Sequence, residues 1–247
     1  VAEIVRALTE RNGADPEEMS AGHGLRSFAN VWAKTAPGRS LVGGTGRLPA
    51  ALATALGPAV RTGHRVAEVR RLATADGPRV RLRCETEDGP ATLTARACIL
   101  ATPAPVTRAL AHDLPEAMRA ALGRVRYGPF LSLAVALDRP IAAPWAGTYA
   151  VSTPGHAFSV LFDHAAMQED PSGAAALMLF RGASGAAREM EADDGALTAR
   201  WLADLARAFP ETCGRVRETR VGRWPAGAPF AFPGRAALQV DLEREAA

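Results

Sequence analysis

Residues 93–105 read Leu-Thr-Ala-Arg-Ala-Cys-Ile-Leu-Ala-Thr-Pro-Ala-Pro. The stretch begins with alternating character and becomes continuously apolar through Cys98-Ile99-Leu100-Ala101. A strand apolar on both faces belongs in a buried sheet. It stops at Thr102-Pro103, because proline removes a ladder donor and restricts the residue before it. Upstream, Val60, Thr62, His64 and Val66 alternate with their neighbours, and Val80, Leu82 and Cys84 alternate with Arg79, Arg81 and Arg83. Asp76-Gly77 and Asp88-Gly89 are turn signals between these runs. Residues 59–100 therefore predict a three-stranded antiparallel piece whose last strand, 93–100, is buried. The arginines of the middle strand read as its solvated face.

Further upstream, Val1, Ile4, Val5 and Leu8 have helical spacing, closed by Asn12-Gly13. A polar loop containing Asp15-Pro16 and Gly22-His23-Gly24 is expected next. Then Leu41-Val42-Gly43-Gly44-Thr45-Gly46 leads into a short helix with Leu48, Leu52, Ala55 and Leu56 on one face, Pro49 in its first turn and Gly57-Pro58 at its stop. Downstream, a helix over 115–122 ends at Gly123, and strands are expected at 130–137, 148–152, 157–162 and 176–181. Asp193 or Asp194 caps a helix carrying Leu197, Trp201, Leu202, Leu205 and Phe209 on one face, and Pro210 ends it. A strand over 216–224 runs into a loop with Pro225, Pro229 and Pro233. This second region is a sheet backed by one long helix, an α+β layer.

The chain has 247 residues, 48% of them hydrophobic, enough for a sizeable core. The net charge is +3 and Lys34 is the sole lysine. No nucleic-acid partner is expected from that balance. Cys84, Cys98 and Cys213 form no CxxC pair, so neither a disulfide framework nor a zinc cluster is suggested, and a cytoplasmic setting fits. No apolar run approaches the roughly 18 residues of a bilayer span, which leaves peripheral membrane contact open. The sequence opens on Val1 rather than Met, and no stop signal follows its last helical stretch, so both ends read as cut.

Gly43-Gly44-Thr45-Gly46 before a helix could cradle a phosphate, but no Lys-Ser or Lys-Thr follows and the GxGxxG spacing is absent; alone, it is a turn. Ser159, Asp163 and His164 could form a hydrolytic set only by converging in space, and no G-x-S-x-G elbow is present. The histidines at 23, 64, 112, 156 and 164 lack metal-ligand spacing. Trp224-Pro225, Phe230 and Phe232 form either a packed loop or a wall beside a planar cofactor or substrate.

The order of four pieces resembles the flavin amine oxidase superfamily, closest to its protoporphyrinogen oxidase and phytoene desaturase branches. Residues 41–49, Leu-Val-Gly-Gly-Thr-Gly-Arg-Leu-Pro, resemble the glycine pair and helix leading back into that family's FAD domain. His64-Arg65-Val66-Ala67-Glu68-Val69 looks like the following strand, in which the resemblance gives Val66 a backbone contact to the adenine ring. Residues 97–105 are similar to the strand and Ala-Thr-Pro turn near the adenosine end of the cofactor, and 223–235 resemble the family's tryptophan and Pro-Gly stretch.

The resemblance implies an α/β protein with an α+β part, a portion of a two-domain, Rossmann-like FAD oxidoreductase. Its cofactor would be FAD, bound by Gly43, Gly44, Val66, Ala101, Thr102, Pro103 and Trp224, with no metal and no catalytic residue assigned. The implied organisation is a helical part of the substrate domain at 1–40, a partial FAD domain at 41–105, a substrate domain at 106–225 and a return segment at 226–247. The substrate would be a small apolar molecule, with tetrapyrrole, carotenoid or squalene, and amine all left open, as is the oligomeric state. The family's opening GxGxxG turn and its Gly-rich closing segment are not in the sequence, so the chain alone is expected to hold FAD poorly. The alternative is a non-catalytic relative that binds a ligand or partner, and a hydrolase comes third.

Overall fold

The computed structural model describes residues 2–32, 41–138, 141–145, 147–164 and 175–246. The chain divides into two compact units, Val1–Ala50 with Arg126–Pro233, and Ala51–Val125 with Gly234–Ala247.

The first unit is built on an antiparallel sheet of β4 (Tyr127–Leu137), β5 (Ala150–Ser152), β6 (Val160–Asp163), β7 (Ala175–Gly182) and β8 (Val216–Pro229), ordered β5-β6-β7-β4-β8. The short helix α6 (Ala183–Ala187) follows β7, and the long helix α7 (Asp194–Ala208) covers one face. Its Leu197, Trp201 and Leu205 join Leu131, Leu133, Leu161 and Leu179 in one buried core, as the helical spacing of those residues predicts. Asp193 is the cap: its Oδ1 accepts a hydrogen bond from the Ala196 amide at 3.0 Å. A second cluster joins Ala7 of α1 (Ala2–Arg11) to Val160, Phe162 and Phe180, with Phe130 packed against it.

Glycines seat α1. A Cβ on Gly128 would collide with the Gly13 carbonyl, and one on Gly182 with the Glu10 carbonyl, so the end of α1 lies directly on strand backbone. The chain then turns at Gly13, where φ is +89°.

Two expectations need correction in this unit. Gly22-His23-Gly24 lies in a helix, α2 (Ala21–Trp32), not in a loop; Ser20 directly precedes it, and the Gly24 amide donates to the Ser20 carbonyl at 2.9 Å. The last strand also continues through Trp224 and Pro225 to Pro229. Prolines fit there because β8 is an edge strand, and its register against β4 shifts between Gly128 and Phe130.

In the second unit, β1 (Arg65–Thr74), β2 (Gly77–Thr86) and β3 (Gly89–Ala95) form the expected antiparallel meander. Gly77 and Gly89 take positive φ at its two turns. Val69 and Cys84 are buried, whereas Arg81 and Arg83 are exposed on the other face. The first strand starts later than the alternation from Val60 suggested, because Gly63 turns the chain at φ +67°. The buried strand expected at 93–100 is also corrected. β3 ends at Ala95, residues 97–101 have no regular structure, and Ile99 is 92% exposed. Among the described residues no strand lies beside this segment, so its apolar faces have nothing to bury against.

Pro103 instead opens a helix the sequence reading lacked, α4 (Ala104–Leu110), with Pro105 in its first turn. α4 packs on β1 and on α5 (Glu116–Gly123), which meets α8 (Arg235–Ala246). Arg124 and Asp241 pair at 3.0 Å in this group.

The helix after the glycine turn is present as α3 (Arg47–Leu56), yet it has no buried residue. Leu48, Leu52 and Leu56 are all more than half exposed.

Candidate functional site

Helices α1 and α2 and the loop between them form a cavity of about 320 Å³. Val5, Leu8, Met19, Leu25 and Phe28 supply its apolar walls. The polar residues that reach it, Thr9, Asn12, Ser20 and Ser27, are all neutral. The Thr9 hydroxyl donates to the Arg6 carbonyl at 3.0 Å, and the Asn12 amide donates to the Leu8 carbonyl at 2.9 Å, so both are committed to backbone. Among the described residues no charged side chain lines the space. Arg6 is held by Asp15 and Glu17, each at 3.0 Å. The Ser20 amide donates to the Ala231 carbonyl at 2.7 Å, which ties the start of α2 to the segment after β8. In that segment Phe230 and Phe232 are buried against each other, and the Arg126 guanidinium lies over the Phe232 ring. Phe230 and Phe232 are thus packed residues, whereas Trp224 is half exposed.

Beside the cavity runs a row of buried polar groups. Glu10, next to Thr9, is 2% exposed, and its Oε2 lies 3.8 Å from Arg181 Nε without a hydrogen bond to any protein atom. Burial pushes the Glu10 carboxyl above its ordinary range, and the nearby Asp15 charge adds to this; the Arg181 charge, a hydrogen bond with Ser159 and the Arg6 charge oppose it. Arg181 Nη1 donates to the carbonyls of His156 and Ala157 at 2.8 and 3.1 Å. The Ala157 amide and the His156 ring in turn face Asp204 on α7. Sequence reasoning missed this row. The available signal was three glycines, Gly13, Gly128 and Gly182, whose crowding becomes visible only in three dimensions.

The residues that the resemblance assigns to the cofactor fall in both units. Gly43 and Gly44 have φ of +81° and +91° and turn the chain into α3, with the Arg47 side chain folded over Gly43. Trp224 is half exposed on β8, its ring over Gly222. In the other unit, Ala101, Thr102 and Pro103 are exposed at the start of α4, and the Thr102 and Thr107 hydroxyls share a hydrogen bond of 2.8 Å.

Val66 lies on β1, an edge strand, beside a register shift between Val66 and Glu68. It pairs with Cys84, whereas Val69 and Arg71 pair with Leu82 and Val80, alternate residues of β2. The Arg71 amide points off the open edge to Asp113 Oδ2 at 2.6 Å. By the same alternation, the main-chain groups of Val66 face that edge. This is the arrangement that backbone recognition of an adenine ring requires, and the residues present fit that part of FAD.

Hydrolytic chemistry finds no support. The Ser159 hydroxyl donates to the Phe180 carbonyl at 3.2 Å and Asp163 accepts from Trp145 Nε1 at 3.1 Å. Among the described residues no cluster of His, Cys, Asp or Glu could hold a metal, and no helix is long and apolar enough to cross a membrane.

The sequence profile described as flavin containing amine oxidoreductase matches residues 5–245. The chain belongs to this family. No curated protein matches the sequence. Among solved structures, this flavin amine oxidoreductase chain is similar to a reduced UDP-galactopyranose mutase, with 14% identity and a TM-score of 0.67 over 97% of this chain and 55% of that one. It is similar to an Exiguobacterium protein described as a protoporphyrinogen oxidase, with 17% identity and a TM-score of 0.65 over 96% and 54%. A putrescine oxidase variant gives 16% identity and a TM-score of 0.58 over 77% and 41%. At these identities the likeness shows the fold, mixed α/β with antiparallel sheets. The chain spans about half the length of the structures it matches.

Proposed function

We propose that this chain is part of an FAD-dependent oxidoreductase that oxidises a C–H or C–N bond of an apolar substrate, the hydride leaving from carbon. The observation that carries the reading is the apolar-walled cavity between α1 and α2, in a chain whose family match runs from residue 5 to 245. Flavin, when bound, supplies the hydride acceptor. The residues of the chain have the remaining tasks. Val66 presents backbone groups at an open strand edge for the adenine ring, with Ala101, Thr102 and Pro103 at the adenosine end. The cavity holds substrate. Because a flavin carries the difficult chemistry, positioning matters more than an acid or base, which agrees with a lining that contains neither.

The test is to express the chain together with the coding sequence that flanks it on both sides and to mix the flavin-loaded product anaerobically with apolar substrates. Bleaching of the flavin absorbance is the expected result. A flavin-loaded protein that binds such molecules but is never bleached would favour the non-catalytic relative. Residues 1–247 alone should hold FAD poorly, since they lack a GxGxxG turn; a yellow, stoichiometric complex would contradict this.

A further inference from the structure

Glu10 carries a buried titratable group for which the proposed reaction has no use. It stands at the end of α1, whose Val5, Leu8, Thr9 and Asn12 line the α1–α2 cavity, so one helix is both the cavity wall and the carrier of this carboxyl. Arg181 of β7 approaches it to 3.8 Å, and Ser159, just before β6, gives it a hydrogen bond. Asp15, beyond the end of α1, repels its charge, and Arg6, one turn back along the helix, attracts it. The other elements around α1 add no charge at this point. α6 has no titratable side chain, β4 has no charged residue, and His23 and Arg26 of α2 are exposed.

Arg181 satisfies the carboxyl incompletely. Its Nη1 is spent on the His156 and Ala157 carbonyls, its Nε makes no hydrogen bond, and Glu10 Oε2 is left without a donor. An enclosed carboxylate lacking a donor is costly, and its protonated form costs much less. The main chain offers no local relief, because the Glu10 carbonyl is pressed against Gly182, where even a methyl group would collide. The carboxyl therefore reaches water only when the end of α1 lifts from the strands.

We propose that Glu10 is a proton-linked latch on the cavity wall: protonated, it keeps the end of α1 seated on the large sheet; ionised, it drives that end off the sheet and opens the α1–α2 cavity. With α1 lifted, the carboxyl is in water and titrates in the ordinary range. With α1 seated, burial raises it, so the seated state holds the proton more tightly. Seating is favoured in full below the ordinary carboxylate pKa and is lost as pH rises through the raised value. The latch needs neither flavin nor substrate, so it stands or falls apart from the oxidoreductase reading.

The test is hydrogen exchange of residues 1–247 between pH 5 and pH 8, read by mass spectrometry and corrected for the intrinsic exchange rate. Residues 5–14 should lose about tenfold or more of their protection across this range, while α7, with Trp201 wholly buried, keeps its own. Glu10→Gln, similar in shape but unable to titrate, should make protection of 5–14 independent of pH. His156→Gln, which removes the neighbouring titratable ring, should leave the wild-type dependence in place and decides the matter even where Glu10→Gln fails to fold. Constant protection of 5–14 in the wild-type chain, an equal fall in Glu10→Gln, or loss of the dependence in His156→Gln would each overturn the proposal. A parallel loss in α7 would overturn it too, since the whole unit would then be opening.

Discussion

Glu10 is where charge and packing conflict most directly. Its carboxyl is almost fully enclosed, and burial raises it above the ordinary carboxylate range despite Arg181. An unfolded chain therefore releases this proton at lower pH than the folded one. The stability it contributes is present below the ordinary carboxylate pKa and is lost as pH rises through the folded value. Urea unfolding of wild type and Glu10→Gln between pH 4 and pH 8 should show the Gln variant gaining stability relative to wild type as pH increases; a gap independent of pH would refute this. The seat of α1 makes a second prediction at single-residue scale. Gly128→Ala should cost about 3 kcal/mol because the added methyl meets the Gly13 backbone rather than a mobile side chain. Gly22→Ala, in open space on a helix, should instead stabilise by roughly 0.5–1 kcal/mol. Denaturant midpoints measure both.

Elements whose partners are nearby in sequence were readable, and those that depend on distant neighbours were not. The Asp193 cap and the Leu197, Trp201 and Leu205 face follow from local spacing, and Trp201→Ala should cost about 3–5 kcal/mol because the ring is wholly buried. The meander was legible because its two turns carry their own Asp-Gly signals. By contrast, residues 97–101 have the composition of a buried strand, but no strand accompanies them among the described residues. Pro225 and Pro229 suggested a loop because the sequence does not disclose that β8 lies at an edge. The same reasoning makes α3 a tolerant element, since it buries no residue. Leu52→Glu and Ile99→Glu should change the stability of residues 1–247 by no more than about 0.5 kcal/mol, since both side chains already face solvent. A large loss in calorimetry would mean that these residues are covered.

Over the whole molecule, the family and the mixed α/β fold were legible from the order of motifs, whereas the cavity and the Glu10 row were not, since both arise from helices folded back on a distant sheet. The four tryptophans, Trp32, Trp145, Trp201 and Trp224, all belong to the first unit, and the buried thiol of Cys84 belongs to the second. Tryptophan fluorescence and Cys84 labelling should accordingly follow different unfolding curves in guanidinium, because separate cores need not melt together; coincident midpoints would show one cooperative unit. The prolines of β8 have a consequence beyond topology. The large sheet ends on one side in a strand of three residues and on the other in a strand whose Pro225 and Pro229 donate no amide. Neither border offers a continuous template for strand addition, so this sheet should resist fibril growth even in a chain with so many apolar side chains on its surface.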